Sequence, residues 1–438
     1  MNDTRGLDKL PAMGGVHLAK GTRDFLPGTM IHRLRLVESV RSVFARFGFP
    51  PLETPALERI ETLTGKYGQE GERLIFKILK RGAGAARGQA DLALRYDLTV
   101  PLARVVALHP EILLPFKRSQ IQPVWRADRP QKGRFREFWQ CDADTVGTAS
   151  RLADAECLAV LNACLEALGF REFTLRINHR QILSGLAAAL GQAAREGELL
   201  TALDKLDRLG KDGVGRLLRE KGFTPAHLAR VWEWLERGGI PGTDGAEEEL
   251  GSITRWAVEM GVPSRRIRLH RPLARGLDYY TGFVVEAEVD KPAVGAIGGG
   301  GRYDNLLGLF AGRRIPAVGV SLGLERVLAV MQETGMLEEV SSSTQVWVTI
   351  FSDETREASV RAARSFRDAG VATDLSLDGG KLAQQLKKAD RRGIPHAIVV
   401  GPDEVAAGTV ILRSLRQGEQ WELSLDEAVK RVAGGQTA

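Results

Sequence analysis

Long hydrophobic runs are missing from this sequence, and cysteine and aromatic residues are scarce. No stretch of its 438 residues approaches the ~20 apolar residues that span a bilayer. The opening residues, MNDTRGLDKLPAMGG, hold no apolar core of a secretory signal. Both absences point to a cytoplasmic protein without a membrane partner. Cys141, Cys157 and Cys164 are odd in number and widely spaced, with no Cys or His beside them at metal-ligand spacing. That argues against a disulfide framework and a structural metal site, and predicts reduced thiols in or near a core. One-sided charge is lacking too. The chain has 61 Lys and Arg against 55 Asp and Glu, a formal net charge of +6, which permits a polyanionic partner without demanding one.

What is present is ordinary globular material, 43% apolar and 26% charged, in a chain long enough for two or three domains. After a polar tail over residues 1–18, Leu36, Val40, Val43 and Phe47 recur at three- and four-residue spacing up to Gly48, predicting an amphipathic helix with a glycine end. Pro50, Pro51 and Pro55 then impose an extended, edge-like segment. The stretches LALRYDL, SQIQPVWRAD, REFWQCDADTVG, REFTLRIN, FVVEAEV and AVGVSLG alternate or run apolar in short lengths. They are expected to form one largely antiparallel sheet, with helices such as RLADAECLAVLNACLEALGF between them. The fold class is therefore α+β for a domain over 19–335. Within it, 181–262 turns to helix formers and predicts a helical insertion. From 344 to 438, VWVTIF, VATDLSL and AIVVG alternate with helices that end at glycine, as in a parallel α/β unit. That unit holds 13 basic and 13 acidic residues from Thr344 onward. Lys387, Lys388, Arg391 and Arg392 are a phosphate-contact candidate or a solvated helix face.

Three segments invite chemistry. Trp125 to Asp144 reads as two strands around a basic loop, and from Lys117 to Arg136 seven basic residues face one acid, Asp128. Its arginines suit bidentate recognition of phosphate or carboxylate, and a surface hairpin is the alternative. AVGVSLGLERVLAV passes from strand to helix through Gly319 and Gly323 and sets Arg326 in the first helical turn, where close backbone approach and a cation suit a polyphosphate. Third, LARGLDYYTGFVVEAE places Arg275, Asp278, Tyr279 and Tyr280 on one glycine-flanked turn before a strand.

Taken together, these segments resemble the class II aminoacyl-tRNA synthetases. FGFPPLETP is similar to their first motif, WRADRPQKGRFREFWQ to their second and GVSLGLERVL to their third. LRYDLTVPLAR, ARGLDYYTG and GGGGRYDNL narrow the resemblance to the histidyl-tRNA synthetases, and GPDEVAAGTVILRSLRQGEQ is similar to their anticodon-binding domain. The resemblance runs from Lys20 to the C-terminal unit.

The resemblance implies a histidine–tRNA ligase that joins L-histidine to ATP as histidyl-adenylate and passes histidine to the 3′ end of tRNA(His). Asp97, Thr99 and Gln140 match the residues that hold the α-ammonium, Asp144 and Tyr280 those that face the imidazole, and Tyr279 a pocket wall. Arg126 matches an arginine on the α-phosphate and Arg326 one on the γ-phosphate, with Asp128 near the nucleotide. Arg275 matches the catalytic arginine, opposite charge that builds on phosphate oxygens. Lys132, Arg134 and Arg136 are expected to meet the tRNA acceptor end, Mg²⁺ to ride on the phosphates, and two chains to form a homodimer. The DLT and WQCDAD segments look closer to the eukaryotic-type branch, with aspartate at 144 where the common bacterial pattern has glutamate. A catalytically silent regulatory subunit of ATP phosphoribosyltransferase is the runner-up. It is expected to lose the second- and third-motif arginines and the C-terminal domain, all present here.

Overall fold

A computed structural model describes residues 17–67, 71–131, 133–240, 242–274, 279–292, 295–337 and 342–434. The chain divides into two compact units, Met1–Arg23 with Leu36–Met336, and Asp24–Arg35 with Leu337–Ala438. The first helix, α1 (Pro27–Arg46), starts before the periodic stretch because Pro27 supplies a pre-set φ for a first turn. It stops ahead of Gly48, whose φ of 73° closes the end as expected.

In the larger unit, β1 (Leu57–Arg59), β2 (Lys77–Leu79) and β3 (Ala90–Leu94) form a small antiparallel sheet in the order β1-β3-β2. Of LALRYDL only Leu92 to Leu94 are strand, and of a separate sheet; Arg95 to Leu98 form the loop before the next helix. Period two identifies a strand and cannot say which partner takes its edges. Helix α2 (Thr99–Leu108) follows.

The main sheet has β4 (Phe116–Trp125), β5 (Glu137–Val146), β6 (Thr174–His179), β7 (Ile267–Leu269), β8 (Phe283–Glu288), β9 (Gly298–Arg302) and β10 (Ala317–Gly323). Their order is β4-β5-β10-β9-β8-β6-β7, antiparallel except for the β6–β7 edge. Helix α3 (Arg151–Ala167), capped by Ser150, packs across one face with Cys157, Leu158, Leu161 and Leu165 buried. All three cysteines are buried and in no disulfide, and burial pushes the Cys157 and Cys164 thiols up, so these two remain protonated core groups.

Strand β9, GGGGR, escapes a propensity reading because glycine is a poor strand former. Space demands it: a Cβ on Gly300 would stand 2.0 Å from the Gly319 carbonyl oxygen, and one on Gly298 2.8 Å from Leu322 Cδ2. Its last residue, Arg302, is buried and donates to Asp154 from Nε at 2.9 Å and from Nη2 at 2.6 Å. It also donates to the carbonyls of Thr148 and Ser150 and to Asp304, tying β9 to the start of α3.

Between β6 and β7 the chain is helical, with α4 (Arg180–Ala189), α5 (Glu196–Leu203), α6 (Leu206–Glu220), α7 (Pro225–Arg237) and α8 (Asp244–Glu259). Helix α9 (Leu324–Glu333) leaves β10 directly. In the second unit, β11 (Val346–Val348), α10 (Arg356–Asp368), β12 (Thr373–Leu375), α11 (Leu382–Arg391) and β13 (His396–Val399) alternate as expected, with β12-β11-β13 parallel. β14 (Thr409–Ser414) and β15 (Gln420–Ser424) then extend this sheet antiparallel, before α12 (Leu425–Gly434). The sequence pattern alone gives no warning of that hairpin.

Candidate active site

The face of the main sheet opposite α3 is polar, and strand alternation makes it so. On β5, Gln140, Asp142 and Asp144 fall on one side, interleaved with Cys141 and Ala143. Register places Arg118 of β4 and Gly319 of β10 on either side of Asp144, and Gln120 and Ser321 on either side of Asp142. Gly319 is a spatial necessity, since a Cβ there would lie 1.9 Å from Asp144 Oδ1. Gly301 of β9 likewise leaves room for the Tyr280 ring, whose Cδ1 would stand 3.0 Å from a Cβ at 301.

Arg118 is completely buried, and its Nη2 lies 2.9 Å from Asp144 and 3.8 Å from Asp142. The same nitrogen donates to the Leu98 carbonyl at 3.2 Å, which brings the loop ahead of α2 to this face. Tyr303, just past β9, donates its hydroxyl to Asp144 Oδ1. Gln140 donates from Nε2 to Ser321 Oγ at 3.0 Å and toward Asp142 at 3.5 Å.

Asp97 lies in that loop and is 1% exposed. Its Oδ1 accepts the Tyr67 hydroxyl and the Val100 N–H, each at 3.0 Å. Burial pushes its carboxyl up from the ordinary value, against the Val100 N–H, the Arg126 charge and the Tyr67 hydroxyl. Thr99 is hydrogen-bonded to Tyr279, whose phenol burial holds protonated. The Tyr279 ring lies 4.9 Å from Tyr280 and 5.9 Å from Tyr303, centroid to centroid, forming an aromatic wall. Four buried acceptors on this face, Asp97 Oδ2, Gln120 Oε1, Gln140 Oε1 and Asp144 Oδ2, have no hydrogen-bond partner among the described residues. Leaving such atoms unpaired costs about 1–3 kcal/mol each, so their persistence signals a ligand with donors.

Arg126, just past the end of β4, donates from Nε to the Tyr96 carbonyl at 3.0 Å. Its guanidinium lies 4.4 Å from the Tyr96 ring centroid and 5.2 Å from that of Phe138. Asp128 is buried and paired with Arg134 at 2.8 Å. Arg136 is turned inward, donating to the backbone carbonyls of Asp128 at 3.1 Å and Lys20 at 3.2 Å. Arg326 donates to the Ala296 carbonyl at 2.6 Å, and its Cγ would lie 3.8 Å from a Cβ on Gly133, so the basic loop approaches α9. Glu325 accepts the Trp139 N–H at 2.7 Å, fixing α9 against β5. Over Gly323 the nearest atom to a Cβ is the Ile297 carbonyl at 3.9 Å, which leaves space for a flat group.

Asp97, Thr99, Gln140, Asp144, Tyr279 and Tyr280 are thus brought around one sheet face, with Arg126 close enough for its charge to act on Asp97 and Tyr279. Arg326 and Asp128 sit at the basic loop. Arg275 and Lys132 lie outside the described residues. Sequence reasoning gives no role to Arg118, Asp142, Tyr67 or Tyr303. The run GGGGRYDNL contains Tyr303, and only the cross-strand register adds that it meets Asp144.

An antiparallel sheet that lines an acid-rich pocket, bounded by an arginine-bearing hairpin and an arginine-bearing strand-to-helix turn, defines the class II aminoacyl-tRNA synthetases. Within that class the chain belongs to the histidyl-tRNA synthetase family. The model described as histidyl-tRNA synthetase matches residues 21–327, and that of an anticodon binding domain matches 345–434. A histidine–tRNA ligase of Cytophaga hutchinsonii is 40% identical over 95% of this chain and 99% of its own. One of Aeropyrum pernix is 42% identical over 94% and 97%. The crystal structure of histidyl-tRNA synthetase from Nostoc sp. PCC 7120 superposes with a TM-score of 0.82 at 30% identity, covering 96% of this chain and all of that one.

Proposed function

We propose that this protein is a cytoplasmic histidine–tRNA ligase, which condenses L-histidine with ATP to histidyl-adenylate and pyrophosphate and then acylates tRNA(His). The observation that carries the reading is two of those unpartnered buried acceptors, Asp97 Oδ2 and Gln140 Oε1, beside Thr99. Together they suit the three donors of an α-ammonium group. Asp144, held by Arg118 and Tyr303, is an acceptor for one imidazole N–H, and the Tyr280 hydroxyl serves the other ring nitrogen. A side chain lacking those donors would leave buried groups unpaired.

Activation needs no general base, because the histidine carboxylate is already ionised near neutral pH. The difficulty is the meeting of two anions, so cations at the α-phosphorus favour the transition state. Arg126 and Arg275 take that role, Arg326 the γ-phosphate, and Asp128 the nucleotide's surroundings. Mg²⁺ arriving with the ATP phosphates would supply further charge neutralisation for the departing pyrophosphate. Lys132, Arg134 and Arg136 are the proposed acceptor-end contacts. Arg134 has an exposed side chain, free to exchange its Asp128 partner for phosphate. We assign 19–335 to catalysis, 181–262 to a helical insertion and 344–438 to the anticodon, in a homodimer.

Histidine-dependent exchange of labelled pyrophosphate into ATP tests the reading. Exchange with histidine and with no other amino acid is expected, and its absence would favour a silent regulatory subunit. Arg275→Ala is expected to lose exchange by orders of magnitude while still binding histidine. Unchanged turnover would remove Arg275 from the mechanism.

A further inference from the structure

Two buried carboxylates on one face of β5 share a single guanidinium nitrogen, and the recognition scheme above gives no role to one of them, Asp142. Asp142 and Asp144 are 2% and 3% exposed. Both approach Arg118 Nη2, Asp144 at 2.9 Å and Asp142 at 3.8 Å. Among the described residues, the groups that act on Asp142 are Arg118 on β4, Asp144 on its own strand, the Ser321 hydroxyl on β10, and Asp97 in the loop before α2. Arg126 in turn acts on Asp97. Two guanidiniums therefore face three acids, and like charges at this depth do not all ionise. Among the described residues, one acid has no cation of its own.

Geometry says which. Asp144 has the shorter charge contact to Arg118, at Oδ2, which makes no well-angled hydrogen bond, and the Tyr303 hydroxyl at Oδ1. Asp97 has the Tyr67 hydroxyl and the Val100 N–H. Among the described residues, Asp142 has only the longer Arg118 contact, the 3.5 Å approach of Gln140 and the Ser321 hydroxyl. Gln140 connects it to the ligand, because the amide that approaches Asp142 through Nε2 also presents the unpartnered Oε1.

We propose that Asp142 is a reserve counter-ion of the amino-acid pocket, holding a proton in the free protein and releasing it to solvent when the α-ammonium group of histidine enters. The O–H bond of the carboxyl breaks, the proton passes to water, and the carboxylate left behind balances the ammonium beside Asp97 and Gln140. A third positive charge then faces three negative ones. Burial, opposed by Arg118 and reinforced by Asp144, raises the Asp142 carboxyl to about 7, which puts the exchange in the physiological range. The inference rests on the histidine-activating reading and deepens it, making Asp142 a specificity-determining residue for an ammonium-bearing ligand.

Calorimetric titration of L-histidine into wild-type protein and Asp142→Asn, between pH 5.5 and 8.5 and in buffers of different ionisation enthalpy, tests it. The ratio of wild-type to variant affinity cancels the ligand's own titrations. It is expected to rise with pH, toward tenfold per unit, over the range below about 7 in which the free carboxyl still holds its proton, and to level off above it. The wild type should release more protons per histidine bound near pH 7 than the variant does. Ser321→Ala removes the hydroxyl that favours the ionised form, so it should displace the rise to higher pH even if Asp142→Asn folds poorly. A pH-independent ratio and equal proton release, in protein that binds histidine and supports exchange, would overturn the inference and leave the functional reading standing. Wild-type protein that neither binds histidine nor supports exchange would overturn both.

Discussion

At the scale of single residues, the pocket is built from acids placed where they are costly. Asp142 shows the consequence most directly. Its carboxyl is raised by burial from the ordinary 3.8 to about 7, so between these values the folded protein binds a proton that the unfolded chain releases. Stability contributed by that proton is present at low pH and lost as pH rises through the folded value. Asparagine is nearly isosteric with the protonated acid and does not titrate. Asp142→Asn, measured without histidine, is therefore expected to gain thermal stability over the wild type as pH goes from 5 to 8. A difference in melting temperature that stays constant across that range would show that Asp142 is not the buried acid that titrates. Legibility at this scale is uneven. Asp97, Thr99 and Gln140 are readable because they sit in compact motifs, whereas Arg118 and Tyr303 meet Asp144 only through pairing of strands distant in sequence.

At the scale of elements, alternation and helical spacing carry most of the fold. The start of LALRYDL is readable as a strand, but neither its membership of a second sheet nor its turn into a loop at Arg95 is. GGGGR is invisible as a strand, because its glycines are there for backbone approach and contribute no apolar side chain. The same β9 also rests on a buried ion pair. Arg302 is buried to 1% and satisfies Asp154, Asp304 and two carbonyls at the start of α3. Removing one partner of such a pair leaves a buried charge alone, at a cost of about 3–5 kcal/mol. Arg302→Met is expected to lose that much in urea unfolding, and adding Asp154→Asn should return part of it, since the orphaned charge goes too. A loss below ~1 kcal/mol would mean that α3 and β9 hold register without the pair. Because Tyr303 follows Arg302 directly, the same variant should also weaken histidine binding.

At the scale of the whole molecule, two kinds of substrate are handled by two kinds of force. On the proposed reading, histidine meets desolvated groups on a sheet face, where salt screens little. The tRNA is a polyanion, and its binding releases counterions wherever a Lys or Arg meets a phosphate. Net charge is only +6 over 438 residues, so the effect must come from local patches. Arg134 is one source. The basic row of α11 is another: there Arg392 pairs with Asp374 at 2.7 Å and Lys388 with Asp378 at 3.8 Å. Exposed pairs of this kind are worth about 0–1 kcal/mol, little enough for phosphate to replace. The KM for tRNA in aminoacylation is accordingly expected to rise steeply between about 50 and 200 mM salt, while histidine-dependent pyrophosphate exchange changes little. Neutralising Lys387 and Arg391 together should flatten the salt dependence of log KM for tRNA by about 0.7–0.9 for each phosphate that the variant no longer neutralises, with exchange unaltered. An unchanged slope in that variant would free the α11 row from any part in RNA binding and return it to the status of a solvated helix face.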